Sequence, residues 1–113
     1  MSDSTITSRI RQLNDMLRGL PVPPFGELVL TRGVADLAPT DLKVVLDKVC
    51  WFDAFTEDND PHGEHDFGAF DHAGVRYFWK IDYYDLQKLH HSPDPSDPTV
   101  TSRVLTVMRA DEY

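Results

Sequence analysis

The sequence predicts a single α+β domain in which two helices pack on a mostly antiparallel sheet of about four strands. Two amphipathic helical patterns lie in the first half of the chain, and most stretches with strand-like alternation lie in the second half. With 113 residues, 41% of them hydrophobic, the chain can bury one core without disulfides or a structural metal. We expect residues 1–25 to form an N-terminal helix with a proline-rich connector, and residues 26–113 to form the remaining core.

Apolar residues at spacings of three and four predict the first helix. They form one apolar stripe, which consists of Ile6, Ile10, Leu13, Leu17 and Leu20. The opposite side is polar, with Arg9, Arg11, Gln12, Asn14, Asp15 and Arg18. Gly19 and Pro21 end the helix, because glycine is favoured just past a helix end and proline cannot continue it. We expect the apolar stripe to dock on the sheet.

A second helix begins at Pro39-Thr40, since proline is well suited to the first helical turn. Its predicted buried face consists of Leu42, Val45, Leu46 and Val49. The aromatic residues after it are expected to anchor the following loop on the core. These residues are Trp51, Phe52 and Phe55.

Four segments have the composition of strands: residues 27–32, 67–72, 75–83 and 99–108. Ala73-Gly74 separates the second from the third and predicts a tight antiparallel hairpin. The third strand has aromatic residues on both faces, which indicates a central position in the sheet. Residues 84–91 are compatible with a single helical turn. Residues 92–98 contain three prolines and predict an ordered surface loop of Asx-type turns.

The charge balance bears on the class of partner. The formal net charge is -8, with 19 acidic against 11 basic side chains, so we expect no direct nucleic-acid binding. A protein partner with a basic surface fits this charge better. Cys50 is the only cysteine, which excludes an intramolecular disulfide and favours a reducing compartment. The chain has neither a signal-peptide pattern nor a long apolar run, so we expect a cytoplasmic protein without a membrane partner.

The densest group of polar side chains lies in residues 58–68, with the sequence Asp-Asn-Asp-Pro-His-Gly-Glu-His-Asp-Phe-Gly. Imidazole and carboxylate groups suit a divalent metal, so His62, His65 and Asp60 are candidate ligands of a small metal-dependent hydrolase or other enzyme. The spacing matches no established metal signature. The alternative is a loop whose carboxylates and amides satisfy backbone groups. No cofactor is favoured, and no nucleophile elbow or phosphate-binding glycine loop is present.

These observations favour a non-enzymatic interaction protein, with the metal-dependent enzyme as the alternative. The candidate partner-binding residues are the carboxylates of the two polar loops, namely Asp58, Asp60, Glu64, Asp66, Asp94 and Asp97. Catalytic residues stay unassigned. An acidic surface of this kind suits a target with a basic nucleic-acid-binding groove.

Residues 58–68, together with the preceding Phe52-Asp53-x-Phe55-Thr56, belong to a set of longer motifs. The others are Phe78-Trp79-Lys80-Ile81-Asp82-Tyr83-Tyr84-Asp85, Ser92-Pro93-Asp94-Pro95-x-Asp97-Pro98 and Thr101-x-Arg103-Val104-Leu105-Thr106. Together they resemble the hallmark of a small bacterial family, domain of unknown function 3768, over about residues 26–113. The resemblance implies no activity. It implies a setting on plasmids or other mobile elements, where small acidic proteins act against host defence, as anti-CRISPR or anti-restriction inhibitors do.

Overall fold

A computed structural model describes residues 2–113, so Met1 of the predicted N-terminal segment lies outside the described residues. Within this range there are three α-helices, one 3-10 helix and a four-stranded sheet. The elements are α1 (Ser2–Gly19), β1 (Glu27–Leu30), α2 (Arg32–Ala35), α3 (Pro39–Cys50), β2 (Phe67–His72), β3 (Val75–Tyr84), β4 (Ser102–Arg109) and the 3-10 helix Ala110–Glu112. The strand order is β1-β4-β3-β2, with β1 parallel to β4 and the other pairs antiparallel. The predicted α+β class is confirmed.

The predicted β2–β3 hairpin is confirmed. His72 pairs with Val75, and the register continues to Phe67 opposite Lys80. Ala73 and Gly74 both have positive φ, at 52° and 77°, which is the requirement of a type I′ turn. Because β3 also pairs with β4 along its length, it occupies the predicted central position.

One face of the sheet carries the core. The buried side chains are Leu17, Val34, Val45, Val49, Tyr77, Trp79, Ile81, Leu105 and Val107. Trp79 lies at their centre and is fully buried. Its indole packs directly against Gly68 of β2, where an added Cβ would come within 2.3 Å of Nε1. The alternation predicted for β3 therefore places Tyr77, Trp79 and Ile81 correctly.

Three predictions of secondary structure were wrong. The last strand begins at Ser102 rather than at Thr99, because Thr99 belongs to a turn closed by Asp97. Arg32 does not end β1 but begins the short helix α2. Glu112, near the end of the chain, holds this helix in place by accepting hydrogen bonds from Gly33 N (2.7 Å) and Thr31 Oγ1 (2.6 Å). Residues 84–91 form turns rather than a helical turn, because Tyr84 still belongs to β3 and bridges to His91.

The buried line of α1 also differs from the predicted stripe. Ile6 and Leu20 are 56% and 53% exposed, whereas Asn14 and Arg18, predicted for the polar side, are buried. Burial of these groups is tolerated because each makes hydrogen bonds to other parts of the chain. No helix within residues 2–113 combines the length and the apolarity that a membrane crossing requires.

Candidate functional site

The acidic loop, defined as residues 53–66, folds on itself around Asn59. The Asn59 side chain accepts a hydrogen bond from Thr56 N and donates one to Ala54 O, both at 2.8 Å. Asp60 N donates to Thr56 O, also at 2.8 Å. These bonds satisfy backbone groups that would otherwise have no partner in a loop. Its first half therefore has a defined conformation.

Helix α1 fixes the second half of the acidic loop. Arg11 Nη1 donates to Gly63 O at 2.7 Å, and Asn14 Nδ2 donates to Glu64 O at 3.0 Å. One residue further along each segment, the Asp15 carboxylate lies 2.9 Å from His65 Nδ1. Positions 11, 14 and 15 share one helical face, so three consecutive residues of the loop dock in register. The helix side chains thus bind this acidic segment largely through the backbone carbonyls of the segment.

His65 is built into this structure rather than directed to solvent. Its ring stacks on Phe55 with centroids 3.7 Å apart and planes 3° apart. Its φ of 55° is left-handed, a region in which histidine is tolerated better than most residues. Asp60, itself buried, accepts a hydrogen bond from His65 N at 3.2 Å and places its other oxygen 3.8 Å from Nε2.

The candidate metal ligands His62, His65 and Asp60 have different surroundings. His62 is exposed, whereas both ring nitrogens of His65 face carboxylates. Among the described side chains, those of residues 5–113, there is no group of three or more histidine, cysteine, aspartate or glutamate residues that could hold a metal ion. Asp60 and His65 contact each other and, through His65, Asp15 of α1.

A buried polar network lies beneath the loop, and sequence reasoning missed it. Asn14 Nδ2 donates to Tyr83 Oη at 2.8 Å, Tyr83 Oη donates to Glu64 Oε1 at 2.8 Å, and Arg103 Nε donates to Asn14 Oδ1 at 2.9 Å. Burial raises the pKa of the Tyr83 phenol and lowers that of the Arg103 guanidinium. Glu64, Tyr83 and Arg103 lie in the sequence motifs described above, whereas Asn14, which joins them, does not.

Arg18 performs a related task where α3 meets the acidic loop. Its Nη1 donates to Val49 O at 2.9 Å and to Phe52 O at 3.0 Å, so it satisfies carbonyls at the end of α3. The guanidinium lies 4.8 Å from the Trp79 ring centroid, a cation–π distance. Phe52 and Phe55 pack edge-on against Trp79, which confirms them as anchors of the loop.

Trp51 was wrongly predicted to be an anchor. Its side chain is 80% exposed, because the residue follows the end of α3 on the side away from the core.

The candidate carboxylates of the acidic loop have different environments. Glu64 accepts the Tyr83 hydroxyl, and Asp60 is buried against His65. Asp66 is half-buried, and burial, together with the charge of Glu64, raises its pKa. Asp58 is exposed, and no hydrogen bond or ion pair to its carboxylate occurs within residues 5–113, whose side chains the structure describes. Asp53 and Glu57, outside the predicted set, share this property.

The proline-rich loop of residues 92–98 has the predicted Asx-type turns. Asp94 Oδ1 accepts hydrogen bonds from Ser96 N (3.1 Å) and Oγ (2.6 Å), and Asp97 Oδ1 accepts equivalent bonds from Thr99 (2.9 and 2.7 Å). Hydrogen bonds from Thr99 lower the pKa of Asp97. Arg9 Nε donates to Ser96 O at 2.9 Å, so α1 contacts both acidic segments.

Residues 30–112 match the model of a family described as a protein of unknown function, DUF3768. The match extends from the last residue of β1 to the 3-10 helix and covers well over half of the chain. It includes the acidic loop but not α1, which holds that loop in place. No curated protein and no solved structure matches the chain.

Proposed function

Since the chain belongs to the DUF3768 family, whose description carries no activity, we propose a function from the site itself: a non-enzymatic interaction protein that presents fixed carboxylates to the basic surface of a partner protein. The proposed partner surface is one that otherwise binds nucleic acid. Carboxylates and phosphates compete for the same arginine and lysine donors. In its narrowest form the proposal is an inhibitor of a host-defence protein, carried by a mobile element.

One observation carries this proposal. Asp53, Glu57 and Asp58 are exposed, and within residues 2–113 none of them pairs with a cation, although the loop that carries them is tied down on both sides. The nearby arginines of α1 do not neutralise them, because Arg11 is directed to a carbonyl and Arg18 to carbonyls and Asp15. A fixed loop loses little conformational entropy on binding, so its charges remain available to a partner at low cost.

The net charge supports the same interpretation. With a formal charge of -8, the protein attracts a basic partner over a distance set by ionic screening, which is about 10 Å at 0.1 M salt. Attraction of this kind increases the association rate more than it decreases dissociation. The proposed interaction should therefore have a strongly salt-dependent association rate.

The test begins with the native protein as bait at low and moderate salt, followed by reconstitution with the purified partner. The variant Asp53→Asn/Glu57→Gln/Asp58→Asn should slow association several-fold at low salt and flatten its salt dependence. Short nucleic acid that binds the partner should displace the wild-type protein from it.

A matched control removes three negative charges elsewhere, with Glu27→Gln, Asp36→Asn and Asp111→Asn. Each of these carboxylates pairs with a surface cation, so the loss should change stability little. If the control slows association as much as the loop variant, net charge rather than the loop determines binding. If no partner is retained at either salt, or if nucleic acid does not compete, the proposal is wrong.

A further inference from the structure

Strand β2 has an outer edge that no strand of residues 2–113 covers. Ile81 N donates to Asp66 O, so Asp66 and Ile81 form a hydrogen-bonded pair, and every second pair along β2 and β3 is hydrogen-bonded as well. Alternation then directs the backbone groups of Gly68, Phe70 and His72 toward β3, and those of Phe67, Ala69 and Asp71 outward. Lys48 Nζ donates to Asp71 O at 2.8 Å, which agrees with this assignment. The outward groups of Phe67 and Ala69 make no hydrogen bond within the described chain.

An apolar groove of about 550 Å³ runs beside this edge, between α3, β2 and the start of the acidic loop. Its apolar walls are formed by Val44, Trp51, Phe52, Ala54, Ala69 and Phe70. Trp51, at 80% exposure, is the most exposed of the large apolar side chains in the described chain. Tryptophan contributes more than most residues to protein interfaces when it becomes buried. An open edge beside such a groove is the arrangement used for strand addition.

The charges around the groove indicate which kind of strand it accepts. Asp47 and Asp53 line it, and Glu57 and Asp58 follow in the acidic loop. The lining cation, Lys48, is already engaged with Asp71 O and lies 6.0 Å from the Phe70 ring centroid. A second copy of this chain would bring another charge of -8 to the same edge, which electrostatic repulsion disfavours. The charge complement of this groove is a basic segment.

We propose that the β2 edge and this groove bind an extended segment of a partner protein as a fifth strand of the sheet, and that the face of this segment toward the groove carries both apolar and basic side chains. The proposal rests on the proposed function and specifies the partner. The backbone of the segment pairs with Phe67 and Ala69, an apolar side chain covers Trp51, and lysine or arginine side chains contact Asp47 and Asp53.

The probes are fluorescein-labelled peptides of about eight residues, a length typical of strands, in which lysine and valine or phenylalanine share one face and threonine fills the other. A second set carries glutamate for lysine, and a third has N-methyl groups on alternate backbone amides. Fluorescence anisotropy should show binding of the basic set alone. N-methylation on the pairing side should abolish binding, because strand addition needs those donors. Amide shifts in NMR spectra should concentrate in residues 67–71 and at the Trp51 indole.

Two variants test the groove in the full-length protein. Ala69→Pro removes an outward N–H while leaving the ladder with β3 intact, since proline is tolerated on edge strands. Trp51→Ala removes the exposed indole. Each should weaken binding of the basic peptides at least about tenfold, a loss typical of interface hot spots. The matched control is Leu89→Ala, whose side chain is 74% exposed in a different loop and should leave affinity unchanged. Thermal melts verify that all three variants are folded.

The outcomes separate this inference from the proposed function. The inference is overturned if the basic peptides do not bind, if they bind Ala69→Pro and Trp51→Ala as well as wild type, or if NMR shows β2 of a second copy at the edge. Salt-dependent association of the whole partner, lost in the Asp53/Glu57/Asp58 variant, would still support the proposed function in each of these cases. Loss of both responses would contradict both proposals.

Discussion

Replacing Asn14 with alanine tests whether α1 holds the acidic loop through its buried polar network. Asn14 is fully buried and takes part in three hydrogen bonds, to Glu64 O, Tyr83 Oη and Arg103 Nε, at 2.8 to 3.0 Å. The alanine side chain can replace none of them. Tyr83 keeps its bond to the Glu64 carboxylate, whereas Arg103 Nε loses its acceptor in a buried position.

The magnitude follows from these partners. A buried donor left without a partner costs about 1–3 kcal/mol, with the upper end for charged groups such as Arg103. The two bonds from Asn14 Nδ2 contribute about 1 kcal/mol each, and the deleted amide leaves a small cavity. Because the three bonds share one network, their energies are not additive. We expect a total loss of about 3–5 kcal/mol.

Urea unfolding followed by the fluorescence of buried Trp79 measures this loss. With a slope of about 1–3 kcal/mol/M, the midpoint should fall by more than about 1 M. Gln12→Ala is the matched control, because Gln12 lies exposed on the same helix and alanine suits a helix interior. Its midpoint should change little. Hydrogen exchange of Glu64 and His65 amides should accelerate in Asn14→Ala before global unfolding.

If Asn14→Ala lowers the free energy of unfolding by less than about 1 kcal/mol, or by no more than Gln12→Ala does, the network does not stabilise the fold as proposed. Exchange in the acidic loop that is unchanged while stability falls would show that Asn14 supports the core but not the loop.

Three further predictions concern other parts of the site and core. Burial raises the pKa of Asp66 in the folded protein, so the carboxyl is more stable protonated, and its charged form lowers stability as pH rises. Asp66→Asn should therefore stabilise the protein at neutral pH but not below pH 4, as melts at several pH values will show. If the metal alternative is correct, zinc or manganese should raise the melting temperature and His62→Ala/His65→Ala should abolish the shift; no shift in wild type contradicts it. Trp79→Ala should cost about 3–5 kcal/mol in urea unfolding, and a cost below about 1 kcal/mol would contradict its central place in the core.

The sequence by itself determined the features that depend on local chemistry. The hairpin at Ala73-Gly74 and the buried face of β3 follow from turn propensity and a period of two, which the structure retains. The Asx-type turns of Asp94 and Asp97 involve partners only two residues away, so the local sequence is enough to predict them.

Long-range contacts decided the rest. Asn14 and Arg18 appear polar and exposed by helical periodicity, and they are buried because they hydrogen-bond to partners 31 to 89 residues away. The helix α2 depends in the same way on Glu112, 79 residues from Gly33. Trp51 appears to be a core residue by composition, yet the end of α3 leaves it in solvent beside the open edge of β2. The periodicity of apolar residues predicts which face of an element is buried. Whether a polar group finds a distant partner, and whether an apolar side chain is covered, depends on the tertiary structure.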